Sequence, residues 1–161
     1  METIRVKNKN VYELEVNDKG ETIVFDLSDI SLPRKLGDAY KKIGEIQNNL
    51  KAQILIIKKS KDSRKKNSLL TNNQLAITAA WENAYAEMRK AMDLFLGEGG
   101  CQKIFGDSNY VEMFDDLFEA LSEKKGDGKS VFDHLKVVND KYISQLEHKY
   151  GQMKKDANTT I

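Results

Sequence analysis

The residues that could do chemistry in this 161-residue chain are few and scattered. Gly128-Lys129-Ser130 has the ending of a phosphate-binding loop, in which backbone N–H groups and a lysine cradle a nucleotide's phosphates. That loop needs a second glycine five residues earlier and a buried strand ahead of it, but Glu123 and an acidic stretch stand there. A glycine stop followed by a serine helix cap accounts for all three residues. His134 and His148 lie 14 residues apart, about 21 Å along one helix at about 1.5 Å per residue, too far to share a metal. Cys101 is the single cysteine and has no cysteine or histidine near it, so no zinc site is expected. Asp115 and Asp116 are adjacent, and helix neighbours point about 100° apart instead of converging on one proton. The acidic run around them lacks the alternating oxygen ligands and central glycine of a calcium loop. No local set of Ser, His and Asp marks a nucleophile. No catalytic residue, cofactor or metal is therefore expected, and the chain reads as a non-enzyme.

One charged constellation stands out. Lys58, Lys59, Lys61, Arg64, Lys65 and Lys66 are opposed by Asp62 alone. Contacts from such a cluster to phosphates would give salt-dependent, sequence-independent affinity for nucleic acid. No aromatic side chain is interleaved for base stacking, so a solvated loop is the preferred reading and nucleic acid is not the expected partner. A third reading is an electrostatic dock for the acidic segment of another copy. The formal net charge of +1 conceals a polarity that serves such association: residues 1–66 hold 15 Lys/Arg against 10 Asp/Glu, and residues 98–127 hold 3 against 8. A homo-oligomer is expected.

These groups must be carried by a fold the chain can afford. Forty per cent hydrophobic residues suffice for a core in one domain of this length. No apolar run approaches the roughly 20 residues of a membrane span, and the first residues alternate charged and β-branched types without the apolar stretch of a secretory signal, so none is expected. With a lone cysteine added, a cytoplasmic protein without membrane contact is expected.

Residues 3–7, 11–16 and 22–25 alternate or run β-branched, and are separated by Asn8-Lys9-Asn10 and Asn17-Asp18-Lys19-Gly20. Such residues favour hairpin loops, which predicts a three-stranded antiparallel meander. Its apolar face must lie on something, since a small meander is marginal alone. After Asp26 the period becomes helical. Ser31 can cap a helix with Pro33 in its first turn, and Leu36, Tyr40, Ile43, Ile46, Leu50, Ile54 and Ile57 form one stripe to about Lys59. Residues 60–73 are expected to be a mobile loop. A second helix from about Asn73 to Leu96 carries Ile77, Trp81, Tyr85, Met88, Met92 and Phe95, read as core, with Gly97 at its C-cap. A short turn through Ile104-Phe105 leads to an acidic helix over residues 109–125, and Gly126-Asp127-Gly128 ends it. Ser130 and Asp133 form a near capping box for a last helix with Val131, Leu135, Val138, Tyr142, Gln145 or Leu146, and Lys149 on its stripe. Residues 154–161 should fray. The expected fold is α+β and mostly helical, a meander packed on about four helices. Residues 1–125 form the main unit, and 126–161 form a C-terminal helix and tail of the same domain.

The segment Gly97-Glu98-Gly99-Gly100-Cys101-Gln102-Lys103-Ile104-Phe105-Gly106 and the helix after it look made for protein contact. That helix sets Val111, Met113, Phe114, Leu117, Phe118 and Leu121 against Glu112, Asp115, Asp116 and Glu119. So wide an apolar arc needs two neighbours, or one neighbour and a partner. Ile104, Phe105, Phe114, Leu117 and Phe118 are the candidate partner-binding residues.

The order of parts resembles the small tail assembly chaperones of long-tailed (siphovirus-type) bacteriophages and prophages. An N-terminal hairpin ending in Val24-Phe25-Asp26-Leu27 carries the resemblance, with the long charged helix after it. So do the Gly97-Glu98-Gly99 break into Lys103-Ile104-Phe105-Gly106, the Asn109 start and the Phe-containing acidic helix. It covers roughly residues 1–125; the basic loop after Lys58 and the helix from Ser130 depart from the pattern. The resemblance implies a non-enzymatic protein that coats the tape measure protein, keeps it soluble, helps recruit the major tail tube protein and leaves the finished tail. Adaptable methionine-bearing stripes and repeated weak contacts suit such a client. Two other readings remain: a structural or self-assembling virion protein for tail completion or head–tail joining, and a small nucleic-acid-binding accessory protein using residues 58–66.

Overall fold

A computed structural model describes residues 1–4 and 10–159; within the last helix, the side chains of Val138, Tyr142, Leu146, Tyr150 and residues 152–159 are not described. The chain is mostly helical, with a two-stranded antiparallel hairpin near its start. The hairpin pairs β1 (Val11–Glu15) with β2 (Thr22–Asp26). Five helices follow: α1 (Leu32–Lys59), α2 (Asn72–Leu96), α3 (Gly100–Phe105), α4 (Met113–Ser122) and α5 (Val131–Thr159). The expected third strand is not among them: residues 1–4 form no strand, and the remainder of that segment lies outside the described residues.

The hairpin turn is built by Asn17. Its side-chain oxygen accepts from the N–H of Lys19 at 2.9 Å and of Glu21 at 3.2 Å, and Gly20 takes the positive φ of 78° that closes the loop. β2 then buries Ile23 and Phe25 and exposes Val24, the period-2 alternation of a half-covered strand.

The chain divides into two compact units. One comprises Met1–Glu15, Val24–Arg34 and Tyr110–Ile161. Its buried side chains include Phe25, Leu27, Leu32, Met113, Phe114, Leu117, Leu121, Val131 and Leu135. The other comprises Val16–Ile23 and Lys35–Asn109, and buries Ile43, Ile46, Leu50, Tyr85, Met88, Met92, Phe95 and Cys101.

α1 begins where Pro33 is tolerated, because the first turn has no partner for its missing N–H. The Ser31 hydroxyl donates to Asp29 Oδ1 at 2.6 Å, so Asp29 also organises this entry. The buried stripe is Ala39, Ile43, Ile46 and Leu50; Tyr40, expected on it, is exposed, and Ala39 faces inward beside it. The stripe stops at Leu50, with Ile54 and Ile57 only half-buried and Leu55 and Ile56 exposed.

The connection between α1 and α2 is laced by hydrogen bonds. Asp62 Oδ1 accepts from the N–H of Ser63 and Asn73, and Asn73 Nδ2 donates to the carbonyls of Ile57 and Ser60. α2 opens with a full capping box: Thr71 Oγ1 accepts from Gln74 N, and Gln74 Oε1 accepts from Thr71 N. Its apolar stripe is core toward the C-terminal end, as its periodicity predicts, and Trp81 stacks on Tyr85 with ring centroids 5.5 Å apart. Gly97 closes α2 by donating to Asp93 O at 2.8 Å.

α4 is shorter than the acidic stripe suggests and starts four residues later than Asn109. Asn109 is engaged elsewhere, its Oδ1 accepting from Arg89 Nε at 2.8 Å. α5 starts at the expected box, with Ser130 N donating to Asp133 Oδ2 at 2.9 Å and Asp133 N donating to Ser130 Oγ at 3.0 Å. An aspartate fills the place usually held by Glu or Gln. The expected fraying is not seen in the described backbone, which stays helical through Thr159. No helix among the described residues is long and apolar enough to cross a membrane.

Candidate functional site

The glycine-rich break after α2 is a rigid corner. Gly97 and Gly99 take positive φ values of 96° and 74°, which turn the chain sharply. Gly100 is buried for a different reason: a Cβ there would stand 2.5 Å from Leu96 Cβ. Asp93 secures the corner by accepting from Cys101 N at 2.8 Å, and Cys101 Sγ lies 3.7 Å from Arg89 O. Burial first, then the neighbouring Asp93, pushes the Cys101 thiol far above its ordinary value. Such a thiol stays protonated and behaves as a small core residue.

α3 is fixed to the hairpin turn. Asn17 Nδ2 donates to Lys103 O at 2.9 Å, and Lys103 Nζ donates to Thr22 O at 3.0 Å. Ile104 and Phe105 are half-buried on this helix. The Arg89 guanidinium sits 5.8 Å from the Phe105 ring centre and donates from its second nitrogen to Ser108 O at 3.0 Å. The segment after α3 is thus clamped by one arginine from α2.

The five candidate partner-binding residues part company, Phe114, Leu117 and Phe118 lying in the other unit on α4. Phe114 and Leu117 are 1% and 5% exposed, so both are core positions. The arc of α4 turned inward carries Met113, Phe114, Leu117 and Leu121, because an i, i+4, i+8 row lies on one helix face. Phe118 is half-buried at the edge of that arc. Placement therefore removes Phe114 and Leu117 from any preformed contact surface and leaves Ile104, Phe105 and Phe118 partly reachable.

The six basic residues are all exposed. Lys58 and Lys59 lie in the last turn of α1, where cations complement the helix dipole. Asp62, the one acid among them, is held below the ordinary carboxylate value chiefly by the Asn73 N–H. It caps the connection, and as one negative charge among six positive ones it offsets little of the cluster's field.

A further cluster lies beyond what sequence spacing revealed. His134 Nε2 is 2.9 Å from Asp127 Oδ2, and its ring stacks on Tyr12 with centroids 4.3 Å apart. Tyr12 in turn stacks on Phe25. The Lys129 N–H first, then His134, draws the Asp127 carboxyl below its ordinary value. Desolvation, followed by the Asp127 charge, raises the Tyr12 phenol. The arrangement ties the β1 strand to the turn before α5. The seven-residue gap between Asp127 and His134 crosses a glycine turn and a helix start, so no simple helical or strand spacing signals it. Among the described residues, no group of three or more His, Cys, Asp and Glu is placed to hold a metal ion.

Comparison with models of protein families, with characterised proteins and with solved structures finds no match for this chain.

Proposed function

We propose that this chain is a non-enzymatic assembly chaperone that binds the tape measure protein of a long-tailed bacteriophage in the host cytoplasm and keeps it soluble while the tail is built. The observation that supports a partner-binding role is α5. Its last described buried side chain is Leu135, yet the helix continues through Thr159. The 24 residues beyond Leu135 extend about 36 Å at 1.5 Å per residue. A helix gains most of its stability from packing an amphipathic face. Val137 and Ile143 are exposed on it, and the sequence adds Val138, Tyr142 and Leu146 at helical spacing. A helix-rich client offers the matching surface, helix against helix.

The tape measure protein as the client, with recruitment of the major tail tube protein afterwards, rests on the resemblance of residues 1–125. Repeated weak contacts by many copies suit a very long client better than one tight site. Ile104, Phe105 and Phe118 are proposed to add to the client surface from the corner and from the edge of α4.

Co-expression of the tagged chain with its neighbouring genes, then purification and mass spectrometry, tests the reading. A long helical protein carrying many copies of this chain is the supporting outcome. A chain ending at Leu135 should retain the cores of α1 to α4 and lose client solubilisation. Recovery of the chain in purified virions would instead favour a structural tail or head–tail joining protein, the reading that its charge polarity also suits.

A further inference from the structure

The α1–α2 connection is the part of the molecule least accounted for by its own core. From residue 51 to residue 79 not one side chain is buried, a run of 29 residues between Leu50 and Ala80. These residues include seven Lys/Arg and one acid, Asp62, whose carboxylate is already engaged by backbone N–H groups. They also expose Leu55, Ile56 and Leu69, at 58%, 68% and 89%. The loop is not slack: Asn72 N donates to Ser63 O at 2.7 Å, and Asn73 ties it back to α1. A pre-ordered arm that is cationic and apolar together suits a partner that is acidic and apolar together.

The same sequence contains such a segment. Residues 107–123 hold six Asp/Glu and no Lys/Arg. Asp107, Glu112, Asp115, Asp116, Glu119 and Glu123 are all exposed, as are Tyr110 and Val111 beside them. The arm's net charge of +6 meets −6 on this segment. We propose that residues 51–79 of one copy dock on residues 107–123 of a second copy. The two surfaces differ, so the contact is heterologous and each copy can engage two others.

Nucleic acid fits the arm less well. Residues 51–79 contain no aromatic side chain to stack a base, and a phosphate backbone gives Leu55, Ile56 and Leu69 nothing to bury against. Surface charge pairs are individually weak, so these apolar side chains supply the part of the affinity that salt does not screen.

Sedimentation velocity of the intact chain over a concentration series tests the proposal. Between about 0.1 M and about 1 M salt the screening length falls from about 10 Å to about 3 Å, and the dissociation constant should rise at least about tenfold. A triple variant of the loop cations, K61E/K65E/K66E, should be monomeric. So should E119K/E123K, whose new cations lie at the C-terminal end of α4, where a positive charge favours the helix. Mixing the two variants sets the unaltered arm of one against the unaltered acidic segment of the other and should restore association between them. Circular dichroism matching the wild-type chain shows that each variant is folded. A wild-type chain that stays monomeric at low salt overturns the proposal. So does association unchanged by either reversal, or a mixture of folded variants that does not associate. Association that disappears on nuclease treatment would overturn it in favour of nucleic acid.

Discussion

Gly100 sits where a side chain has no room. The obstacle is Leu96 Cβ, part of α2 itself and unable to swing aside like the end of a long side chain. Gly100→Ala should cost about 1–3 kcal/mol, the usual range for forcing an extra carbon into a packed site. Thermal melting should register it as a drop of about 2–4 °C per kcal/mol for a chain of this length. Phe114 and Phe118 separate core from edge in the same way. Phe114→Ser should destabilise by at least about 3–5 kcal/mol in urea denaturation, since the ring is buried and its loss leaves a cavity. Phe118→Ser should cost clearly less, because that ring is already partly in water. Equal losses would mean that the edge of α4 is as buried as its centre. Charge at single residues gives a third test. Asp127 is lowered chiefly by the Lys129 N–H and Asp133 chiefly by the Ser130 N–H. A carboxylate with a depressed folded value binds a proton more readily when unfolded. Its contribution is therefore fully present above the ordinary value near 3.8 and is lost as pH falls through the lower folded value. Melting temperatures measured from pH 6 to pH 2 should fall in that acid range, and Asp127→Asn with Asp133→Asn should flatten the fall.

Among the elements, the extents of α1 and α2 are legible, while the start of α4 and the reach of burial along α1 are not. Ser130 and Asp133 are three residues apart before an apolar run, and the box they predict forms. Thr71 and Gln74 carry the same signal for α2, at a position the basic loop obscured. Thr71→Ala and Ser130→Ala should each cost about 1 kcal/mol, the usual loss when an N-cap oxygen is removed. Chemical denaturation would measure it. Asn109 has the right chemistry for a cap but is drawn to Arg89, and α4 begins later. The α1 stripe shows the converse limit. Leu36 through Ile57 keep one helical period, yet burial ends at Leu50 because periodicity describes a face and says nothing of what lies opposite. Tyr40 and Ala39 make the same point inside one turn, where the small residue is the buried one.

At the scale of the molecule, stability should be unevenly distributed. Residues 39–50 and 80–96 hold most of the buried side chains of their unit, whereas residues 51–79 hold none. Hydrogen exchange should be slow in the first two segments and faster in the third, since opening the arm exposes no core. The described part of α5 beyond Leu135 should likewise exchange faster than α4. Slowing of the arm's exchange as protein concentration rises would accompany the self-association proposed above. Protection of α5 by a helical client would accompany the proposed function.

The sequence by itself determined the helical period of α1, α2, α4 and α5, the hairpin between Val11 and Asp26, the glycine corner and the polarity of charge. Each depends on residues near one another in the chain, where backbone geometry and local hydrogen bonds decide the outcome. Only the tertiary structure decided that Phe114 and Leu117 are core, that Tyr40 faces water and that His134 is held between Asp127 and Tyr12. The same holds for the 29 residues after Leu50, which bury nothing. Those outcomes depend on which surfaces meet across long stretches of chain. An apolar side chain lowers its free energy against any dry neighbour, so its identity alone does not say which neighbour that will be.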